Sequence, residues 1–244
     1  MSAGPVRVDV LGVGVDRVDR AGLLDVVAAL VERGAATVAY ANVHVIDMAW
    51  GDPALRAFLA GADLVYCDGG GVVLGARLLG RALPERMTGA DWIWDLAAHA
   101  EAEGWRIFWM GGEPGVAAAA ARKLQKRHPR LDVATEHGFH EDAEAVVAAM
   151  NAFAPHIVLV GMGTPVQERW VARNRAAIAA PVVWVTGATA DFVSGKVPRG
   201  PKWLHDRQEW LARLLVDPRR LWRRYLLGNA RFLARVAWAR SRGA

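Results

Sequence analysis

A chain of 244 residues is long enough to bury a full core, and its single cysteine, Cys67, excludes both a disulfide framework and a cysteine-rich zinc site. The opening MSAGPVRVDV lacks a basic stretch followed by a long apolar one, and no uncharged apolar run approaches the ~20 residues needed to span a bilayer, so a cytoplasmic protein is expected. The formal net charge of +5 is divided unevenly: residues 199–244 hold twelve Lys and Arg against Asp206, Glu209 and Asp217, which leaves residues 1–198 mildly acidic.

In chain order, LGVGVDRV comes first. Gly12 and Gly14 there are followed by Arg17 where a dinucleotide-binding fingerprint needs its third glycine, which argues against a nicotinamide-dependent oxidoreductase. Six β-rich runs then follow, TVAYA, ADLVYC, WRIFWM, LDVAT, HIVLVG and PVVWVTG, interleaved with helical stretches such as DPALRAFLA, GADWIWDLAAHAEAEG, PGVAAAARKLQKRH and DAEAVVAAMNAFA. That alternation predicts a Rossmann-like α/β fold, a mainly parallel sheet with helices on both faces, over residues 1–198. Residues 199–244 read as a basic, Trp-rich helical appendage, with the boundary near Pro198 to Pro201.

Ligands of such sheets bind beyond the carboxyl ends of the strands, so the residues placed there are the candidates. They are Asn42 after the first central run, Asp68 with Gly69, Gly70 and Gly71 after the second, and Gly111 with Gly112 after the third. Gly161, Gly163 and Gln167 follow HIVLV, and Gly187 with Asp191 follows PVVWV. Glycine after a strand serves turn geometry as readily as it serves a ligand, but the polar residues beside these glycines point to a shared cleft. In GMGTPVQERW, a strand breaking into Gly-x-Gly before a helix offers bare N–H groups to an anion such as a phosphate.

Individual side chains divide by chemistry. A carboxylate at Asp68 suits a general base, although it also suits a cap for the helix starting near Gly71. Arg86 in PERMTGAD suits a diphosphate or a departing nucleotide, whereas Asp91 suits the cap of the helix beginning at Ala90 or Trp92. Gln167 suits a sugar hydroxyl, and Glu168 reads as an ordinary first-turn acid. Asp191 suits a ligand or a cap equally. Cys67 has no visible base and reads as packing, and the seven histidines lack zinc-ligand spacing, so no metal is expected. The basic, aromatic tail would also suit nucleic acid, but a binding module has no need of Asp68.

The motifs CDGGGVVLGARLLG, ERMTGAD, MGGEPGV, VGMGTPVQERW, TGATADFVSGKVPRGPKW and RQEWLARLLVDPRRLWRRYL, in that order over about residues 8–235, resemble the WecG/TagA/CpsF glycosyltransferases. The resemblance implies inverting transfer of a sugar from a UDP-sugar to a sugar carried on a polyprenyl diphosphate, without a cofactor or metal and without a nucleic-acid partner. It implies Asp68 as the base; Arg86 and Gln167, read from their chemistry, complete the expected catalytic set. Tyr40, Asn42, Gly69, Gly70, Gly111, Gly112, Gly161, Gly163, Asp191 and Arg199 would be the substrate contacts. Tyr40 departs from the threonine usual in the family two residues before the asparagine, so its larger phenol remodels a sugar contact. The appendage is implied to complete the active site and to meet the inner membrane surface, with Arg219, Arg220, Arg223 and Arg224 against anionic lipid; a homo-oligomer is compatible with the resemblance.

Overall fold

In the computed structural model, residues 4–198, 211, 214, 215 and 217–242 are described. The chain opens with a hairpin, β1 (Arg7–Val10) and β2 (Val13–Asp16), paired antiparallel through a two-residue turn in which Leu11 and Gly12 both have positive φ. Two consecutive positive φ values are what a type I′ hairpin turn requires, so LGVGVDRV is a hairpin rather than a failed nucleotide loop. Buried Asp16 accepts hydrogen bonds from Arg7 and from the Val65 N–H at 2.7 Å, tying the hairpin to the main sheet.

The rest of the core alternates as the sequence reading expects. In order come α1 (Arg20–Arg33), β3 (Ala36–Ala41), α2 (Val43–Gly51), α3 (Pro53–Gly61), β4 (Leu64–Cys67), α4 (Gly70–Leu78) and α5 (Gly89–Glu103). They are followed by β5 (Arg106–Gly111), α6 (Val116–Gln125), β6 (Asp132–Glu136), α7 (Ala143–Phe153), β7 (Ile157–Gly161), α8 (Val166–Asn174), β8 (Val182–Val185) and α9 (Thr189–Ser194). All six central strands are parallel, in the order β4-β3-β8-β7-β5-β6. The four strands β4, β3, β8 and β7 carry nearly unbroken apolar runs because helices cover both faces. Asp19, Asn42, Asp52 and Asp142 each accept a backbone N–H at a helix start, and Pro53 occupies the first turn of α3 where no N–H is needed.

The chain turns outward from β3 to the edge strand β4, while every later strand lies on the other side of β3. Helices therefore leave the sheet in opposite senses beside β3, and a crevice opens over the carboxyl ends of β4, β3, β8 and β7. Beneath it, Trp92 and Trp184 stack with centroids 4.0 Å apart, and the Trp92 indole N–H donates to the Tyr66 hydroxyl.

The C-terminal segment contains α10 (Pro218–Trp222), a π-helical stretch (Arg223–Leu227) and α11 (Gly228–Ser241). Helix α11 packs on α2 and α4, where Phe232 and Val236 are each 1% exposed. A Cβ at Gly75 would lie 2.5 Å from the Phe232 ring, so only glycine on α4 lets α11 approach this closely. Arg231 and Arg235 both pair with Asp47 of α2. The basic tail thus ends against the core, and these two cations are paired with a carboxylate of the protein, Arg231 remaining exposed.

Candidate active site

A cleft of about 160 Å³ lies over the carboxyl ends of β4, β3, β7 and β8. Its walls include Tyr40, Asn42 and His44 from β3 and the start of α2, Asp68 after β4, and Thr88, Gly89 and Ala90 where α5 begins. Gly163 and Thr164 follow β7, residues Thr186 to Thr189 follow β8, Phe192 comes from α9, and Arg224 reaches in from the π-helical stretch.

Asn42 explains how Asp68 is held. Its side-chain oxygen accepts the Val45 N–H at 2.9 Å and so caps α2, which orients its NH₂ to donate to Asp68 Oδ2 at 3.0 Å. The Asp68 N–H continues the β3–β4 ladder to the Ala41 carbonyl at 2.9 Å. A carboxylate fixed at both its backbone and one oxygen, on the wall of an open cleft, is suited to receive a proton from a bound hydroxyl.

Gln167 stands elsewhere. It has no exposed surface, and its amide is used inside the protein: it donates to Glu168 Oε1 at 2.8 Å and to the Tyr40 hydroxyl at 3.3 Å, and it accepts the Gly187 N–H at 3.0 Å. It lies behind the cleft wall, joining the ends of β3 and β8 to α8, and a sugar hydroxyl does not reach it in this arrangement. Glu168, read from sequence as an ordinary first-turn acid, is in the first turn of α8 and 2% exposed; it accepts from Thr164 and Gln167, and its second oxygen is buried without a hydrogen-bond partner. Burial pushes its carboxyl above the usual range. The sequence cue was missed because Val166, one position earlier, is exposed while Gln167 and Glu168 turn inward.

Tyr40 lines the cleft, with its hydroxyl 3.2 Å from the Thr164 hydroxyl. Burial pushes the phenol to about 12, with nearby Glu168 adding to the rise, so it stays neutral across physiological pH. Cys67, next to Asp68, is buried and its thiol is pushed up by desolvation, which makes it packing material rather than a nucleophile.

The glycines separate by cause. Gly111 and Gly161 face each other across β5 and β7, where a Cβ on Gly111 would sit 2.4 Å from the Gly161 carbonyl oxygen, while a Cβ on Gly161 would sit 2.6 Å from the Gly187 carbonyl oxygen, so close backbone packing requires both glycines. Gly112 lies beside Val116, and neither Gly111, Gly112 nor Gly161 lines the cleft. Gly163 has φ +79 with open space around it and does line the cleft. The part of GMGTPVQERW that lines the cleft is therefore Gly163 with Thr164. Gly69 is the N-cap of α4, and Gly70 lies beside the Arg86 side chain, with a would-be Cβ 3.9 Å from Cδ, so these residues form a neighbouring shelf rather than the cleft wall.

Asp91 is three residues inside α5 rather than its cap. Thr88 holds the cap position and donates its hydroxyl to Asp91 at 2.8 Å. Asp191 lies on α9 next to the cleft residue Phe192 and is not itself on the wall. Arg199 and the side chain of Arg220 lie outside the described residues. Arg219 and Arg223 are exposed, whereas Arg224, expected at a lipid surface, enters the cleft. Sequence reading passed over His44, two residues after Asn42 in the first turn of α2, although that position alone was a usable cue. It also passed over Thr88, Thr164, Thr186 and Thr189. Arg224 had no local cue, since it comes from a segment far along the chain.

A family model for the glycosyl transferase WecG/TagA/CpsF family matches residues 8–244. The chain belongs to that family. It is also similar to the N-acetylglucosaminyldiphosphoundecaprenol N-acetyl-beta-D-mannosaminyltransferase of Bacillus spizizenii, with 31% identity over 193 residues that cover 78% of this chain and 75% of that protein. The family makes the protein a glycosyltransferase, and its members' reaction is to be sought in the cleft that holds Asn42 and Asp68. Among the described residues no helix is long and apolar enough to cross a membrane, and no group of three or more His, Cys, Asp and Glu is placed to hold a metal ion.

Proposed function

We propose that the protein transfers a sugar from a UDP-sugar to a sugar carried on a polyprenyl diphosphate, with inversion at the anomeric carbon. The observation that carries this reading is the Asp68 carboxylate on the cleft wall, oriented by Asn42. The acceptor hydroxyl attacks the anomeric carbon from the face opposite the nucleotide. The bond from that carbon to the diphosphate oxygen breaks, UDP departs with the electron pair, and the hydroxyl proton passes to Asp68. Gln167 and Glu168 act behind the wall as positioning residues for Tyr40 and Gly187, while Arg86, on its shelf beside Gly70, suits the departing diphosphate.

The donor is a UDP-sugar of the N-acetylmannosamine type, its uronate, or glucose. The name of the Bacillus spizizenii relative favours the first, with a lipid-linked N-acetylglucosamine as acceptor. Because the acceptor is a lipid, the enzyme works at the inner membrane surface as a peripheral protein. Exposed Trp222, Leu226 and Leu227 beside exposed Arg219 and Arg223 support that contact.

The test is acceptor-dependent release of UDP, run with each of the three donors and a lipid-linked N-acetylglucosamine. One donor is expected to give turnover that Asp68→Asn lowers by about 10²-fold or more while donor binding persists. UDP binding with no acceptor-dependent release from any donor would leave a nucleotide-binding protein without transferase activity. Reversing the charges of Arg219 and Arg223 is expected to weaken sedimentation with anionic vesicles at low salt; unchanged sedimentation would remove these two residues from the membrane contact.

A further inference from the structure

His44 and Arg224 meet in the cleft from two segments 180 residues apart, and neither has an ion-pair partner among the described residues. His44 is the second residue of α2, a helix of nine residues whose first-turn N–H groups have no carbonyl within the helix to bond; the Asn42 side chain takes only that of Val45. The Arg224 Nε is buried without a hydrogen-bond partner. Arg224 also lies in the only π-helical stretch among the described residues, a distortion that recurs at functional sites because it re-aims side chains. A helix start, an imidazole and a guanidinium with an orphaned buried nitrogen therefore surround one corner of the cleft.

The charges around His44 show what that corner lacks. On its own helix it has Asp47, which is taken by Arg231 and Arg235 of α11. From the π-helical stretch it faces Arg224, and across the cleft stands Asp68, hydrogen-bonded to Asn42. The neighbouring α3 carries one charged side chain, Arg56, at the far end of α2 on the Ala49 and Trp50 carbonyls. Cations outnumber available anions at His44. Burial first, then Arg224, lower its imidazole to about 4, with Asp47 opposing and Arg231 adding least, so it is neutral in the unliganded cleft at pH 7.

We propose that His44, Arg224 and the first turn of α2 form a diphosphate-binding corner, in which His44 holds a phosphate oxygen as imidazolium, so that binding a diphosphate takes up a proton. The inference rests on the transferase reading, because both substrates of that reaction carry a diphosphate. An oxyanion between His44 and Arg224 cancels the repulsion that keeps the imidazole neutral and adds an attraction for its charged form. The imidazole then gains a proton from solvent as the ligand binds, and no covalent bond changes. The sign follows: affinity for the diphosphate rises as pH falls from 8 to 6, because protonation of His44 is coupled to binding.

The experiment is calorimetry of the whole protein with UDP and, separately, with farnesyl diphosphate, at pH 6 and pH 8 in buffers of different ionisation enthalpy, so that protons taken up are counted. Each ligand titrates its own terminal phosphate, so every count is compared between the parent protein and His44→Gln, where that contribution is common. The parent is expected to take up more protons than His44→Gln, by up to about one, and to bind roughly 10- to 100-fold more tightly at pH 6, as for loss of a charged hydrogen bond. That advantage should shrink toward pH 8.

A difference seen only with UDP assigns the corner to the donor, and one seen only with farnesyl diphosphate assigns it to the acceptor; either supports the proposal. Equal proton counts and equal affinities in parent and variant for both ligands overturn it. Failure of the parent to bind either diphosphate overturns the transferase reading instead. Should His44→Gln not fold, the His44 ring proton followed by NMR in the parent reads the same quantity. Its titration midpoint should move up when the ligand binds, and an unmoved midpoint overturns the proposal.

Discussion

The two amide–carboxylate pairs beside the cleft have the same chemistry and opposite surroundings. Asn42 donates to Asp68 at 3.0 Å on the open wall, while Gln167 donates to Glu168 at 2.8 Å with both residues sealed inside. An amide on the cleft wall holds its carboxylate beside a ligand space. One enclosed by α8, β3 and β8 uses its polar atoms on the protein itself, on the Glu168 carboxylate, the Tyr40 hydroxyl and the Gly187 N–H. Solvent access, rather than residue type, separates the two pairs.

The sharpest way to break this comparison is to neutralise the open carboxylate. Asp68→Asn is expected to lower turnover by about 10²-fold or more, the usual contribution of a general base, with the thermal midpoint unchanged. Initial rates at saturating donor and acceptor beside a melting curve check this, and turnover within a few-fold of the parent would remove Asp68 from the proton transfer.

The sealed amide should behave in the reverse order, with stability first. Gln167→Leu leaves the Gly187 N–H and the Glu168 carboxylate short of partners, at about 1–3 kcal/mol for each buried group left unsatisfied. At roughly 2–4 °C per kcal/mol for a domain of this size, the midpoint should fall by several degrees together with activity. A Leu variant that melts with the parent and yet cannot turn over would make Gln167 a direct substrate contact.

Asn42 belongs to both classes, and two substitutions separate its roles. Asn42→Ala removes the α2 cap at about 1 kcal/mol together with the amide that donates to Asp68. Asn42→Asp keeps a cap but sets a like charge against Asp68. We expect the Asp variant to recover the melting point without recovering turnover; recovery of both would mean that the Asn42–Asp68 bond has no part in the reaction.

The smallest effect concerns Glu168. Its carboxyl in the folded protein is raised above its unfolded value by burial, so the unfolded chain releases that proton at lower pH. The sign is that of a stabilising contribution present below the ordinary glutamate value near 4.5 and lost as pH rises through the folded one. Glu168→Gln removes the buried charge and is expected to stabilise the protein at pH 8 by on the order of 1 kcal/mol, with no gain near pH 4. Melting curves at both pH values decide it, and an equal shift at the two would trace the effect to packing.

Much of this architecture was legible along the chain. Six apolar runs with helical stretches between them read as a parallel sheet because a strand covered on both faces must be apolar at nearly every position. Asn42 and Asp68 were legible for a related reason, since a polar residue directly after such a run lies at the strand's carboxyl end. What sequence could not determine was which strand ends share a wall. Gly111, Gly112 and Gly161 carry the same signature as Gly163, yet strand order places β5, with Gly111 and Gly112, away from the cleft, and Gly161 on β7 is packed against the Gly187 carbonyl. Nor could periodicity show that Gln167 and Glu168 face inward, that Arg231 and Arg235 pair with Asp47, or that Arg224 joins His44. Those outcomes depend on contacts between segments far apart in the chain, which only the packing of α8 and the C-terminal helices against the sheet decides.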